Sequence, residues 1–306
     1  MIQTECTICH QPGNNLHRII YSFHNGFEVI QCNHCLNVYT FFKDDINMQL
    51  YYDEKDYTVR DTKSSIFYTI QKIEYTNIIN KLKATITKTN PSLLDFGSGK
   101  GLFLFFAKQK GFGVKGVETS IPRANYAKEN FHLNINTDYY SEGKIFEDLF
   151  DIITCFHVAE HLTHPTQLLK NLIAGNLKKD GLFLLEVPNY SSWQSKWSGK
   201  HWLHLDIPRH LTHFTPVLAR NIMEQNNCKV FKESYFSFHL GVLGMVQTIY
   251  CFFGYKNSII ATLKERKNIL PLILIAITLP FACILEYIAA INKKGGVIRY
   301  YAIKTQ

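Results

Sequence analysis

The feature that most constrains this chain is a short apolar run that ends in an acid and then breaks into alternating glycines. It reads Leu93, Leu94, Asp95, Phe96, Gly97, Ser98, Gly99, Lys100, Gly101, and apolar residues resume at Leu102. A buried strand, a tight turn and the start of a helix account for that order. Glycine at 97 and 99 lets the backbone take positive φ and leaves no Cβ between main chain and ligand. The helix that follows directs unpaired N–H groups at whatever occupies the turn. The spacing G-x-G-x-G departs from the dinucleotide fingerprint G-x-G-x-x-G, and a plain tight turn could also carry these glycines. A second apolar stretch ends in Glu118, 23 residues after Asp95. An acid closing the second strand of a β-α-β unit can accept hydrogen bonds from both hydroxyls of a ribose.

With these residues in view, LLDFGSGKG and GVETS resemble the class I S-adenosylmethionine (SAM) methyltransferases. The resemblance implies a Rossmann-like α/β fold in which Asp95, Gly97, Gly99 and Gly101 hold SAM, with Glu118 on its ribose. Later segments keep the order: a helix over 122–130, a short strand over 133–135, a strand over 150–156, a helix opened by Pro165 and a strand over 182–187. FDIITCFHVAEHLTHP and GLFLLEVPN resemble the family's fourth and fifth strands with their loops. Such crossovers imply a parallel sheet with the ligand at the carboxyl ends of the strands. The resemblance runs over most of residues 6–232.

A chain of 306 residues, 46% hydrophobic and 19% charged, has ample material for a core. Its net charge of +8 calls for nucleic acid, an anionic membrane face or an acidic substrate as partner. No Asn/Asp-Pro-Pro-Tyr motif for a flipped amino base is present, nor a catalytic-Cys motif for C5 attack, so nucleic acid is not the expected partner. Residues 1–18 carry no long apolar run, and a secretory signal is not expected there. Four of the eight cysteines form two C-x-x-C pairs, Cys6 with Cys9 and Cys32 with Cys35. The spacing suits one structural zinc with four thiolates and no open position; disulfides and redox chemistry are the alternatives, and His10 or His34 could replace a thiolate. Zinc knuckles usually carry Gly after the second Cys, where His10 and Leu36 stand here. The run GFEVIQCNHCLNVYTFF…LYYDEKDY resembles the ribbon and linker that precede a methyltransferase domain in bacterial sugar- and glycan-modifying enzymes. That likeness implies that a Tyr-rich turn (Tyr51, Tyr52, Tyr57) folds over the SAM pocket; packing between ribbon and domain is the alternative.

Methyl transfer is an in-line displacement at a sulfonium, so the protein needs a base and a pocket that aligns the acceptor. Two histidine groups compete. His157, Glu160 and His161 follow the fourth strand, His157 beside the methyl donor and Glu160 with His161 toward the acceptor, unless the latter pair only positions its loop. Ubiquinone-pathway O-methyltransferases resemble this stretch but carry Glu where His157 stands; their carboxylates and His can hold a divalent metal, which the substitution at 157 leaves out of the expectation here. The second group holds four histidines: His201-Trp202-Leu203-His204-Leu205-Asp206-Ile207-Pro208-Arg209-His210-Leu211-Thr212-His213-Phe214. It resembles the W-x-x-L-D-x-P-R-H-x-x-H-F segment of the glycan-associated enzymes, which lines the acceptor side. His204 or His210 is the expected base, His157 a third candidate. Arg209 is the expected anchor for an acidic or phosphorylated acceptor, with Trp202 and His213 beside it. An Asp206–Arg209 pair that merely holds the loop is the competing reading, and a second zinc site matches no usual ligand spacing.

Residues 229–235 and 297–304 read as the last two strands. Roughly sixty residues stand between them where the family turns sharply, and 269–291 approaches spanning length. A single crossing would separate two strands of one sheet, so the insert must return: either by an even number of crossings or as a shallow hairpin in one leaflet, with Lys264, Arg266, Lys267, Lys293 and Lys294 at the headgroups, or as a helical cap or dimer surface. The expected organisation is a zinc ribbon (1–45), a linker covering the SAM pocket (46–90), the SAM-binding core (91–235), the apolar insert (236–296) and the last strand (297–306). The expected activity is SAM-dependent methylation of a sugar, glycan or lipid-linked glycan at the cytoplasmic membrane face, with a quinone or other small lipid as the alternative acceptor and a non-catalytic ribbon adaptor as the non-enzyme reading.

Overall fold

The computed structural model describes residues 2–12, 17–51, 66–259 and 269–305. The candidates Tyr52, Tyr57, Lys264, Arg266 and Lys267 lie outside the described residues. The N-terminal part forms an antiparallel meander of β1 (Arg18–Ser22), β2 (Glu28–Gln31) and β3 (Val38–Phe41). Helix α1 (Ile66–Thr85) leads to β4 (Ser92–Phe96), α2 (Leu102–Gln109), β5 (Gly113–Val117), α3 (Ile121–Phe131), β6 (Ile135–Asn136) and β7 (Phe150–Phe156). Then come α4 (Pro165–Asn176), β8 (Leu177–Pro188), α5 (Trp193–Ser198), β9 (Thr212–His213), α6 (Pro216–Gln225), β10 (Cys228–Ser234), α7 (Gly241–Phe252), α8 (Ile269–Ile291) and β11 (Val297–Lys304).

Seven of these strands make one sheet in the order β10-β11-β8-β7-β4-β5-β6. It is parallel from β8 through β6, whereas β11 runs antiparallel to β8 and β10. This is the Rossmann-like α/β fold expected. Strands β4, β7 and β8 are buried along almost their whole length because helices cover both faces, which is why they read as continuous apolar runs. One apolar layer gathers Leu94, Ile153, Phe183 and Ile298; the other gathers Leu93, Ile152, Leu184 and Tyr301. The order reverses beside β4, so the carboxyl ends of β4 and β7 open a crevice there.

The meander is not a free-standing module. Strand β9, from the histidine-rich segment, pairs with β3 and completes a second sheet, β1-β2-β3-β9. The insert forms α7 and α8, which pack on each other through Val242, Met245, Val246, Ala282 and Ala289. Glu286, the only charged residue of α8, is buried; it accepts from Gln194 Nε2 at 2.6 Å and from the Gly296 N–H at 2.7 Å. The opposite face of α8 exposes Ile273, Ile277, Phe281, Ile284, Ile288 and Ile291 at helical spacing. Residues Ile273–Ile291 are long and apolar enough to cross a membrane by length and composition, with mean hydropathy 2.2.

Candidate active site

The glycine turn behaves as its sequence demands. Gly97 and Gly99 take φ of 80° and 54°, and a Cβ on Gly97 would lie 2.1 Å from Val158 Cγ2. Gly99 faces open space, in a cavity of about 410 Å³ lined by Asp95, Gly97, Ser98, Gly99, Phe156 and His157. Gly101 is also at positive φ, but its missing Cβ makes room for Leu133 and Ala127; it seats α2 against its neighbours and does not line the cavity. Asp95 is buried at the end of β4 and accepts from Thr154 Oγ1 at 2.7 Å. Burial and the Glu118 charge push its carboxyl up to about 7. Glu118 directly follows β5 and braces the turn: Oε2 accepts from the Gly99 N–H and Oε1 from the Ser120 N–H, both at 2.8 Å. It also lines an adjoining cavity of about 620 Å³ with Tyr139 and Tyr140.

The lid over the first cavity comes from α1, through Tyr68, Gln71 and Tyr75. Tyr51 packs edge-on against Phe27 of the meander, the ribbon-packing alternative for that residue. A tyrosine at each end of a seven-residue helical interval, with a polar residue between, was the available signal for the lid.

A third cavity, about 880 Å³, continues past His157 and Arg123, which line all three spaces. Its wall carries Glu160, His204, Asp206, Arg209 and His210, together with Lys200, His201 and Lys256. Leu240 and Gln247 of the insert close it, so the insert builds the site as well as presenting an apolar face. His201 belongs to the histidine group read from sequence, whereas Lys200 and Lys256 were not singled out, because nothing local brings residues 200 and 256 together.

His157 sits at φ 54° with Nε2 2.9 Å from Glu186 Oε1 and Nδ1 3.3 Å from Glu160 Oε1. Burial opposes its charge, but Glu160 and Glu186 outweigh it and push the imidazole up to about 10. An imidazole held protonated has no lone pair to offer as a base. Glu186 in turn meets Arg299 of β11, and Arg299 reaches Glu74 of α1 at 2.5 Å. Glu74 also accepts from His239 and from the backbone N–H groups of Phe238 and His239. An unbroken buried chain of charges therefore joins the lid helix, the insert, the sheet and His157.

The other histidines differ in which nitrogen is committed. His210 Nδ1 donates to His204 O at 2.8 Å and His161 Nδ1 to Arg209 O at 3.0 Å, so each neutral ring carries its lone pair on Nε2. His210 Nε2 stands 3.7 Å from Asp206 Oδ2 and 4.0 Å from Glu160 Oε1. His204 donates from Nε2 to Leu240 O, and burial pulls its basicity down to about 3. Arg209 pairs with Asp206 Oδ1 through Nη2 at 2.7 Å and Nε at 3.1 Å, the loop-holding arrangement, while still facing the cavity. His213 does not line the cavity; it lies in the seam with β3, near Thr40 Oγ1 at 3.2 Å. Trp202 is buried against Val29 and Val38 of the meander, where it anchors the segment, and it also lines the third cavity.

That seam is tightly bonded. Thr40 Oγ1 donates to His210 O at 2.5 Å, the Thr40 N–H to Leu211 O at 3.0 Å and Thr212 Oγ1 to Thr7 Oγ1 at 2.6 Å. At the meander's other end, Cys6 Sγ lies 3.5 Å from Cys35 Sγ and Cys9 Sγ 3.6 Å from Cys32 Sγ, and the four sulfurs all lie within 4.8 Å of one another. Thiolates about 2.3 Å from a tetrahedral zinc stand roughly 3.8 Å apart, so the set fits that ion. His10 and Leu36 adopt φ of 57° and 62°, the left-handed turn that glycine usually supplies. Their N–H groups donate to Cys6 O and Cys32 O.

Comparison with known proteins agrees with this geometry. The model of a family described as a methyltransferase domain matches residues 70–233. Curated relatives include ubiquinone biosynthesis O-methyltransferases of Rickettsia akari, 27% identical over 42% of this chain and 54% of that protein, and of Coxiella burnetii, 34% identical over 30% and 42%. The chain thus spans about half the length of the curated relatives it matches. Among solved structures, the plantazolicin methyltransferase in complex with SAH superposes with TM-score 0.51 at 14% identity, covering 84% of this chain and 93% of that one. Coclaurine N-methyltransferase bound to N-methylheliamine and SAH gives 0.50 at 16% identity, covering 76% and 72%. The chain belongs to the methyltransferase-domain family and has the fold of the SAM-dependent class I enzymes.

Proposed function

We propose that this member of the SAM-dependent class I methyltransferase family methylates a hydroxylated, anionic acceptor, a sugar or glycan carried on a phosphate or a lipid phosphate, at a membrane surface. The observation that carries the reading is the 880 Å³ cavity, joined to the glycine-turn cavity at His157 and walled by Lys200, Arg209, Lys256, Asp206 and three histidines. Such a wall suits hydroxyls and phosphates, which need many donors and cations. Bound SAM supplies an electrophilic methyl on a sulfonium. Asp95, Gly97 and Gly99 form its cradle and Glu118 accepts from the ribose. The cation at His157 faces the cofactor cavity and suits a carboxylate there. Tyr68, Gln71 and Tyr75 exclude water. The acceptor's proton leaves to the cluster of Glu160, His161 and His210, whose Nε2 atoms carry the lone pairs; His204 anchors the loop to α7. Zn²⁺ on Cys6, Cys9, Cys32 and Cys35 stiffens the meander that supports β9 and His210.

The apolar outer face of α8 and the net charge of +8 favour attachment to an anionic membrane, monotopic because α8 packs on α7 along its other face. A quinone or small-lipid acceptor is the second reading, favoured by the curated relatives and opposed by the cationic wall. Incubating the protein with isotope-labelled SAM and an extract of lipids and nucleotide sugars decides between them. Label on a sugar or glycan phosphate supports the proposal; label on a quinone precursor overturns it.

A further inference from the structure

The 880 Å³ cavity has a buried inner end, where Glu160, His204 and His210 lie, and an exposed outer end, where Lys200, Lys256 and Asn257 stand. Half-buried His201 sits with the two lysines at this mouth. Burial, and then the charges of Lys256 and Lys200, lower its imidazole below the ordinary range, so both ammonium groups act on one ring. Among the described residues neither lysine forms an ion pair. Side chains of α7 set them there. Ser198 Oγ donates to Thr248 Oγ1 at 2.9 Å, which seats the turn that carries Lys200. The preceding residue of α7, Gln247, donates to Asn257 O at 3.0 Å and accepts from the Ile259 N–H at 2.8 Å, which seats the segment that carries Lys256.

This cationic mouth has an aromatic rim. Trp197 stacks on Trp193 with ring centroids 5.3 Å apart and lies 6.1 Å from Phe252 at the end of α7. Phe252 and Phe253 are 65% and 85% exposed, which leaves two neighbouring phenyl rings in water unless something covers them. A Cβ on Gly241, at the start of α7, would lie 2.5 Å from Glu286 Oε1, late in α8. The two helices therefore run antiparallel, and Phe252 falls beside the first half of α8, which exposes Ile273, Leu274 and Ile277. Apolar surface thus passes from α8 round the end of α7 to Trp197 and stops at the two lysines. Aromatic rings bordered by lysines suit a membrane–water interface, with ammonium groups level with the lipid phosphates.

We infer that the acceptor cavity opens onto the lipid headgroups, and that Lys200, His201 and Lys256 bind the phosphate of a lipid monophosphate whose chain stays in the bilayer beside Trp197, Phe252 and Phe253. The inference rests on the acceptor reading above and deepens it. The acceptor enters from the membrane, its phosphate held at the mouth and its hydroxylated part reaching inward toward His210. Two ammonium groups and an imidazole N–H offer charge-assisted bonds to a phosphate monoester, whereas a free sugar phosphate would leave the aromatic rim uncovered.

Full-length, zinc-replete protein is mixed with phosphatidylcholine vesicles that carry either phosphatidic acid or phosphatidylglycerol, matched in surface potential. Binding should favour phosphatidic acid and fall about tenfold in Lys200→Gln/Lys256→Gln, with melting temperature and SAM affinity unchanged. Lys128→Gln/Lys170→Gln removes the same charge from α3 and α4, outside the cavity wall, and should change binding less than about twofold. With the wild-type protein, brominated lipid chains should quench tryptophan emission, and Trp197→Phe should remove most of that quenching. Equal loss in the two double variants, equal binding to the two lipids, or absence of quenching overturns the inference. Full competition by free glycerol phosphate overturns it as well and marks a site for soluble phosphates. Methyl transfer is not read here, so failure leaves the acceptor reading to its labelling experiment. Label on a quinone precursor, in turn, would leave lysine-dependent binding of phosphatidic acid intact.

Discussion

Replacing Arg299 with Met isolates the buried charge chain. Arg299 is 4% exposed and contacts Glu186 through Nε and Glu74 through Nη2. Burial alone would raise both carboxyls, but His239 and Arg299 hold Glu74, and Arg299 with His157 holds Glu186, below the ordinary carboxylate range. Met roughly preserves the packing of the side-chain stem but leaves two carboxylates without their shared cation. Breaking a buried pair from one side costs about 3 to 5 kcal/mol. With an unfolding entropy of about 2.1 cal/mol/K per residue, a chain of 306 residues should lose about 5 to 8 °C in Tm at pH 7. The pH dependence carries the sharper test. In the wild-type protein the two depressed carboxyls contribute stability that is present above the unfolded pKa near 4.3 and lost as pH falls toward their folded values. In Arg299→Met burial weighs more heavily against His239 and His157 alone, both folded pKa values move upward, and acidification from pH 7 to 5 should relieve the variant. Calorimetry at both pH values should therefore show the gap between variant and wild type narrowing as pH falls. A loss under about 1 kcal/mol, or one that does not change between pH 7 and 5, would refute the charge chain.

Three further outcomes are expected. Glu118→Ala should weaken SAM about ten- to a hundredfold by calorimetric titration, since about 1 to 3 kcal/mol rests on a buried acceptor of this kind; unchanged affinity would remove Glu118 from the cofactor site. Cys6→Ser should release about one zinc per chain by elemental analysis and loosen the β3–β9 seam, seen as faster hydrogen exchange at Thr40 and Thr212; full metal content in the variant would refute the four-thiolate site. Ile277→Lys with Phe281→Lys, both on the exposed face of α8, should leave the melting temperature unchanged while reducing flotation with anionic liposomes; equal flotation would show that this face is not the membrane contact.

The glycine turn of this protein was legible in its sequence because its geometry is local. The acid, the turn and the helix start follow one another within ten residues, and positive φ at Gly97 and Gly99 is a demand that any reader of the string can state. The four cysteines were legible for the same reason, spacing being enough to propose a ligand set, although left-handed His10 and Leu36 show a knuckle turn formed without its usual glycine. Alternation of strands with helical runs was enough for the parallel sheet. The large cavity beyond His157 was not legible, because it is assembled across long sequence separations. Lys200 meets Lys256 only because α7 folds back over the histidine-rich segment. His210 meets Glu160 and His161 because the Leu211 N–H donates to Glu160 O and His161 Nδ1 donates to Arg209 O, joining the two segments. The charge state of His157 depends on Glu186, Arg299 and Glu74, which no local pattern connects. Sequence by itself determined the acid, the glycine turn and the helix start, since backbone conformation and hydrogen bonding set them within one turn. Only the tertiary structure decided which histidine carries a proton and which carries a lone pair, since desolvation and the proximity of charges exist only once distant segments have packed.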